Sequence, residues 1–345
     1  MKKKLLCVLL MAVLVFAVTA CSNSDGGGGT EAPAGGGAPA TEGDAPAAAG
    51  DIVIGFVGMT LNNEFHITLA NAAVEKGVEL GIQVDTQAGQ QHASSEAQLT
   101  IIENMLANNV NGFVIVPSSS EGLESSLVKI REANIPIVNA DTQLNVDVVK
   151  NAGYTDGIPF YGTDNFAGAK LAGEFVRDNF EQGVETFIVT GIEGHKNTSD
   201  RLEGFKEGAG DWVVVVATQT ANWEVDQGYQ ATLSAIEANP NLGLIFASND
   251  NMGIGALRAV QERNKSDQIK VIGYDAVSEA LNLVKSGEFL ATVAQDPAQM
   301  GVVSVDNVYK MIKGEPYETY VDTGCKLITQ ANVDEQIAYV AQFVD

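Results

Sequence analysis

The sequence predicts an α/β protein made of two similar lobes, and three observations carry that expectation. Between Gly243 and Gly301 a short apolar run of strand type three times ends on a polar residue and passes into a helical pattern. Strands alternating with helices argue for parallel sheets covered on both faces. The same strand–helix unit recurs along the rest of the chain in two series, with no sequence repeat of solenoid type. Finally, 345 residues exceed the usual size of one domain, and an apolar fraction of 45% is ample for packed cores.

The amino-terminal residues 1–20 read as a secretion signal: Lys2, Lys3 and Lys4, then an apolar run too short for a comfortable membrane span, then small residues. Val18-Thr19-Ala20-Cys21 resembles the bacterial lipobox, whose cysteine is acylated and becomes the new amino terminus. Residues 21–50 are Gly, Ala, Ser, Thr and Pro with a few acids, too polar and too small to pack. They read as a flexible tether, useful when one end is held at a surface.

The folded part is expected from Asp51 onward. A strand over 52–57 leads into the loop Thr60-Leu61-Asn62-Asn63-Glu64-Phe65-His66 and a helix to about Leu80. Strands at 83–86, 112–116 and 135–141 follow, with helices over 93–107 and 121–133 between them. Each helix carries apolar residues at three- and four-residue spacing, as in Leu99, Ile102, Met105 and Leu106. Residues 143–158 break the rhythm and read as a long surface loop. A second series opens with a strand at 159–162. It continues through a helix at 165–179, a strand at 186–190, a helix at 200–208, a strand at 212–217 and a helix at 227–238. Near the end, Asn332-Val333-Asp334-Glu335 has the form of a capped helix start, with Val333, Ile337, Val340 and Phe343 on one face.

In open parallel sheets ligands bind beyond the carboxyl ends of the strands. Asn249-Asp250, Asp275 and Gln295 stand at such ends and define a small-molecule site with no evident nucleophile or metal set. Enzyme motifs are missing: there is no HExxH, no G-x-S-x-G, no phosphate loop and no paired CxxC. Gly253-Ile254-Gly255-Ala256 starts like a dinucleotide fingerprint but lies inside a helix. Of three histidines, His66 alone sits beside other polar candidates at a strand end, while His92 and His195 read as solvated loop residues. The three cysteines make no disulfide framework, and Cys325 reads as a small buried residue. A net charge of −24 argues against nucleic acid and against an anionic membrane surface as partners.

What remains suits a polyhydroxylated ligand. Vicinal hydroxyls donate and accept at once; carboxylates accept, Arg donates in a planar fork, and Asn or Gln does both. The C–H faces of a sugar ring lie well on aromatic faces, and Phe65 and Trp223 are aromatics in loops. Asn249 also suits a helix cap, a role common for Asn after a strand.

These residues fall into motifs similar to those of the type 1 periplasmic sugar-binding proteins of ABC importers, above all the ribose-binding branch. The resemblance runs from Asp51 to about Thr323. It rests on Thr60-Leu61-Asn62-Asn63-Glu64-Phe65, Ile135-Pro136-Ile137 running to Asp141, and Gly162-Thr163-Asp164-Asn165. It rests equally on Arg201-Leu202-Glu203-Gly204-Phe205, Asn249-Asp250-Asn251-Met252, Gly273-Tyr274-Asp275 and Ala294-Gln295. The lac-repressor-like regulators share this fold but begin with a DNA-binding helical domain, where this chain has its signal and acidic tether.

The resemblance implies two Rossmann-like lobes joined by three crossings near 163/164, 295/296 and 323/324, with the ligand in the cleft. The first lobe would comprise 51–163 and 296–323, the second 164–295 and 324–345. Implied ligand contacts are Asn63, Phe65, His66, Asp141 and Thr142 from the first lobe. Arg201, Trp223, Asn249, Asp275 and Gln295 would come from the second. Phe65 and Trp223 would sandwich the ring while the polar set binds hydroxyls. The resemblance further implies a monomer outside the cytoplasmic membrane, anchored through Cys21, that serves an ABC permease without a metal, cofactor or catalytic step. A receptor for a furanone-like signalling molecule or a chemotaxis ligand on the same fold is the alternative.

Three positions depart from the ribose branch. His66 replaces a second aromatic face, Val116 replaces an Asn before Pro117, and Thr142 replaces the Arg that follows the aspartate. Losing that five-donor fork points to another pentose, a hexose or a linear polyol as ligand.

Overall fold

A computed structural model describes residues 51–343. The signal sequence, Cys7, the lipobox-like Cys21 and the tether lie outside the described residues. In order the elements are β1 (Val53–Thr60), α1 (Glu64–Leu80), β2 (Gln83–Gly89), α2 (Ser95–Ala107), β3 (Gly112–Ile115), α3 (Glu124–Glu132), β4 (Ile137–Ala140), α4 (Val146–Asn151) and β5 (Phe160–Gly162). Then follow α5 (Asn165–Asn179), β6 (Val184–Thr190), α6 (Lys196–Ala209), β7 (Val213–Thr220), α7 (Val225–Ala238), β8 (Leu244–Ala247), α8 (Asp250–Glu262), β9 (Lys270–Asp275) and α9 (Ser278–Ser286). The chain closes with β10 (Ala291–Ala294), α10 (Pro297–Lys313), β11 (Tyr320–Asp322), β12 (Lys326–Ile328) and α11 (Val333–Val340).

Two six-stranded sheets result, ordered β11-β5-β4-β3-β1-β2 and β12-β10-β9-β8-β6-β7. The first is parallel throughout; in the second, β12 runs antiparallel to β10 at the edge. The chain passes between sheets after β5, after β10 and again between β11 and β12. Central strands such as Gly112–Ile115, Leu244–Ala247 and Ala291–Ala294 are buried at every position. Helices on both faces of a parallel sheet leave no solvated side, so these strands are continuous apolar runs. Edge strands β2, β7, β11 and β12 are less buried, and β7 leaves Val214 and Val215 exposed. Among the described residues no helix is long and apolar enough to cross a membrane.

Helix ends follow local chemistry. Gly81, at φ 70°, closes α1 by donating its N–H to the carbonyls of Gly77 and Val78, the left-handed cap that favours glycine. Asn63, Asp164, Asn249 and Asp296 each accept a backbone N–H in the first turn of the helix that follows. Helices α5 and α6 pack backbone to backbone because Gly204 has no side chain: a Cβ there would sit 2.2 Å from the Phe166 carbonyl oxygen. This close approach sets the first turn of α5 against the later half of α6.

Two expectations about local structure are corrected. Residues 143–158 are not a plain surface loop. Asn145 caps α4 by accepting from the Asp147 N–H at 2.7 Å, and Leu144, Val148 and Val149 bury against the core around β3 and α3. Val148 and Val149 lie together on the inner side of a short helix. The capping box before α11 does not form either. Asn332 turns its side chain back, accepting from the Thr329 N–H at 2.8 Å and donating to the Leu327 carbonyl at 3.0 Å. Satisfying the tight turn out of β12 takes the side chain the cap would need.

Candidate functional site

A cavity with about 320 Å³ of empty space lies where the carboxyl ends of the two sheets face each other. All ten residues expected at the site line it: Asn63, Phe65, His66, Asp141, Thr142, Arg201, Trp223, Asn249, Asp275 and Gln295. Met59, His92 and Asn197 line it as well, and these three were not foreseen. Val116 stays away, sealed in the core with its carbonyl accepting from Gln98. No residue of 143–158 reaches the cavity.

The backbone aims these side chains through uncommon conformations. Among the described residues, five of the eight non-glycine residues with positive φ stand here: Asp141 at 59°, Asn222 at 52°, Trp223 at 68°, Asp275 at 118° and Ala276 at 58°. Asp141, Asp275 and Ala276 stand at or just past a strand's last residue, and Asn222 and Trp223 lie in the turn that leaves β7, where the chain bends sharply into the cleft. Such strain persists only where the surroundings hold it, and it clusters at binding sites. Gly191 makes room for one of them. A Cβ on it would lie 1.9 Å from the Trp223 indole, so the ring rests on bare backbone.

Arg201 organises the second lobe's wall. It is buried, and its Nε donates to Asn165 Oδ1 at 2.8 Å. Nη1 donates to the Ser248 carbonyl at 2.7 Å and to Asp275 Oδ1 at 3.3 Å. The guanidinium lies 3.9 Å from the Tyr274 ring centroid and 5.5 Å from that of Trp223, so cation–π attraction adds to the pairing. Gln295 Nε2 donates to the same Asp275 oxygen at 2.7 Å. On the opposite wall Thr142 Oγ1 donates to Asp141 Oδ2 at 3.0 Å, and Asn197 Nδ2 reaches Thr142 Oγ1 at 3.2 Å. Asn249 combines both expected roles. Its Oδ1 caps α8 through the Met252 N–H at 2.9 Å, and its Nδ2 turns toward the Trp223 carbonyl at 3.4 Å.

Burial shapes the electrostatics. Desolvation pushes the Asp275 carboxyl up to about 6 even though Arg201 and Gln295 favour its charge. Asp141 is raised for the same reason, against the pull of Arg201 and Thr142. Behind Asp275, Asp250 is raised well above the carboxylate range by burial and by the Asp275 charge. Burial also holds His66 well below the ordinary histidine range, with His92 and Arg201 adding to the effect. At neutral pH, His66 is therefore a neutral ring that can donate and accept. Among the described residues no group of three or more His, Cys, Asp or Glu is arranged to hold a metal ion.

The two unassigned histidines are corrections, for both are buried rather than solvated. His92 Nδ1 lies 2.9 Å from Glu224 Oε1 and His195 Nε2 lies 2.8 Å from the Ser118 carbonyl oxygen. Each bond joins residues of one sheet's lobe to the other's. Three further bonds do the same: Lys196 N–H to Ser120 Oγ at 3.3 Å, and Ser278 N–H and Oγ to Glu64 Oε1 at 2.8 Å each. With Asn197 and Thr142 they hold the lobes shut around the cavity. Asn197 stands four residues before Arg201 on α6, so the two share a helix face. That spacing could have found it.

A family model described as periplasmic binding protein domain matches residues 54–316. The D-ribose/D-allose-binding protein of Pseudomonas aeruginosa is 30% identical over 285 residues, covering 80% of this chain and 88% of that protein. The ribose import binding protein of Escherichia coli is 29% identical over 278 residues, covering 80% and 90%. Among solved structures, a solute-binding protein from Actinobacillus succinogenes with bound D-allose superposes with TM-score 0.78 at 28% identity, over 83% of this chain and 100% of that one. One from Bacillus halodurans with bound myo-inositol gives TM-score 0.76 at 26% identity, over 84% and 99%. Two parallel-sheet lobes meeting at their carboxyl ends, the family match and these relatives agree: the chain belongs to the periplasmic binding protein family, among its type 1 sugar-binding members.

Proposed function

We propose that this chain captures a monosaccharide or related polyol outside the cytoplasmic membrane and delivers it to the permease of an ABC importer, catalysing nothing itself. One observation carries the reading. Asp141, Arg201, Asn249, Asp275 and Gln295 converge with the rings of Phe65 and Trp223 on a single cavity. Ligand sites of this kind pair apolar and aromatic walls with a few placed polar groups. Carboxylates and amides offer acceptors and donors to vicinal hydroxyls, and the two aromatic rings offer apolar faces to C–H groups. The bonds across the cleft fit a binding cycle in which hinge motion at 163/164, 295/296 and 323/324 opens and closes the lobes. The proposed mature form is a monomer held at the membrane by acylated Cys21, with residues 22–50 as its leash.

Calorimetric titration of the folded chain with D-ribose, D-allose, D-arabinose and myo-inositol tests this. Saturable binding near micromolar Kd, about −8 kcal/mol, is expected for at least one of them. Failure of all four would refute the sugar reading. Ribose should not be the tightest, because Thr142 is engaged with Asp141 and Asn197 and offers no donor fork; ribose ahead by tenfold would prove that selectivity argument wrong.

A further inference from the structure

His92 comes from the loop between β2 and α2 and is 3% exposed. Its ring lines the cavity, with its centroid 5.5 Å from that of His66. Nδ1 is taken by Glu224 Oε1 at 2.9 Å, while Nε2 is buried and meets no hydrogen-bond partner. A carboxylate only accepts, so Nδ1 carries the proton that Glu224 receives, and in the tautomer protonated there alone Nε2 is a bare lone pair. A buried acceptor with nothing to accept is destabilising until a donor reaches it. Gln295 presents the same situation across the cavity. Its Nε2 is engaged with Asp275, and its Oε1 is buried without a partner.

On the sugar-type reading above, we propose that His92 is a specificity-determining contact whose Nε2 accepts a hydrogen bond from one ligand hydroxyl, with Glu224 as its positioning residue. His92 belongs to the first sheet's lobe and Glu224 stands just before α7 in the second. The pair therefore forms only when the lobes are closed. Nε2 becomes a committed acceptor at the moment the cavity is sealed, and a ligand lacking the matching hydroxyl strands it. Selection and closure then share one hydrogen-bonded pair. A site built to hydrogen-bond a hydroxyl rejects the analogue that lacks it, because its own buried group is left unpaired.

The test uses the tightest binder among D-ribose, D-allose, D-arabinose and myo-inositol, together with its monodeoxy analogues. Wild type, His92→Asn, His92→Gln and Glu224→Ala are titrated after a melting curve has shown each to be folded. An asparagine amide stands near the place of Nδ1 and keeps a partner for Glu224 while removing Nε2; a glutamine amide reaches to the place of Nε2. One deoxy analogue should bind wild type about tenfold more weakly than the parent sugar, equivalent to about 1.4 kcal/mol. His92→Asn and Glu224→Ala should bind that analogue and the parent about equally, and His92→Gln should recover part of the discrimination. A purely structural histidine would weaken all analogues alike. If wild type binds and His92→Asn keeps every deoxy preference, the His92 assignment is overturned while the sugar reading stands. If wild type binds none of the four, the sugar reading fails and this inference falls with it.

Discussion

Replacing Asp275 by Asn should change how the ligand-free protein's stability depends on pH. In the fold this carboxyl titrates at about 6, against an ordinary 3.8, because burial opposes its charge more than Arg201 and Gln295 support it. A raised folded-state value means that between the two values the folded form binds more protons than the unfolded form. Stability from this group is therefore complete below about 3.8 and is lost as pH rises through 6. Integrating the titration from pH 5 to pH 7.5 gives a loss of about 1 kcal/mol.

The Asn side chain keeps an oxygen that can accept from Arg201 and Gln295 but has no proton to lose. Urea unfolding followed by far-UV circular dichroism at pH 5, 6, 6.5 and 7.5 measures both proteins. Acids that do not feel Asp275 contribute equally to both curves, so the difference in slope reports Asp275 together with Asp250, whose carboxyl its charge raises. Wild type should lose about 1 kcal/mol more than Asp275→Asn over that range. Parallel curves would show that Arg201 fully compensates the carboxylate, and the desolvation argument for this site would be refuted.

Arg201→Met should lower stability at pH 7 by about 1–3 kcal/mol, since Asp275 loses the partner that favours its charge and takes up a proton in its buried place; the double variant with Asp275→Asn should recover part of the loss, and an unchanged urea midpoint would contradict the pairing. Trp223 both lines the cavity and packs in the core cluster, so Trp223→Ala should lower stability by about 3–5 kcal/mol and weaken sugar binding together, whereas Trp223→Phe should keep most affinity and lose the ligand-induced fluorescence change. Half-buried Trp212 lies outside the cavity and should report nothing. For the proposed anchor, Cys21→Ser should free the protein from the membrane or leave it unprocessed, and a correctly cleaved, membrane-retained serine form would exclude acylation.

Much of the fold was legible because buried parallel strands leave a simple mark. Leu244–Ala247 and Ala291–Ala294 are short apolar runs closed by a polar residue, and every such run became a strand. Edges were less legible. Lys326–Ile328 is three residues long, too short for a period, and its antiparallel pairing depends on the chain returning from β11. Helix α6 begins at Lys196, one turn earlier than its apolar pattern suggests. The extra turn carries polar residues that face the other lobe, and periodicity reports burial in a core, not contact across a cleft.

The same physics separates the site residues that were legible from those that were not. Asn249, Asp275 and Gln295 close strands whose apolar runs announce them, so the rule that ligands sit at carboxyl ends was enough to place them together, while Asp141 came from the family resemblance. His92 follows β2, whose residues are mostly half-buried and read Gln-Val-Asp-Thr-Gln-Ala-Gly without a clear apolar run. An edge strand of that kind gives no warning that the loop beyond it also points into the cleft. A histidine in such a loop looks solvated because nothing nearby in sequence would bury it. What buries His92 is Glu224, 132 residues away, together with the ring of His66, and both reach it only through the approach of the second lobe and the packing of the first. Burial of this sort belongs to the closed arrangement of the protein rather than to either lobe's own core, and local sequence carries little trace of it. The backbone strain at Asp141, Trp223 and Asp275 is hidden for a related reason. Positive φ at non-glycine residues has no residue signature there, since the side chains were kept for what they present to the cavity and the surrounding strands supply the restraint.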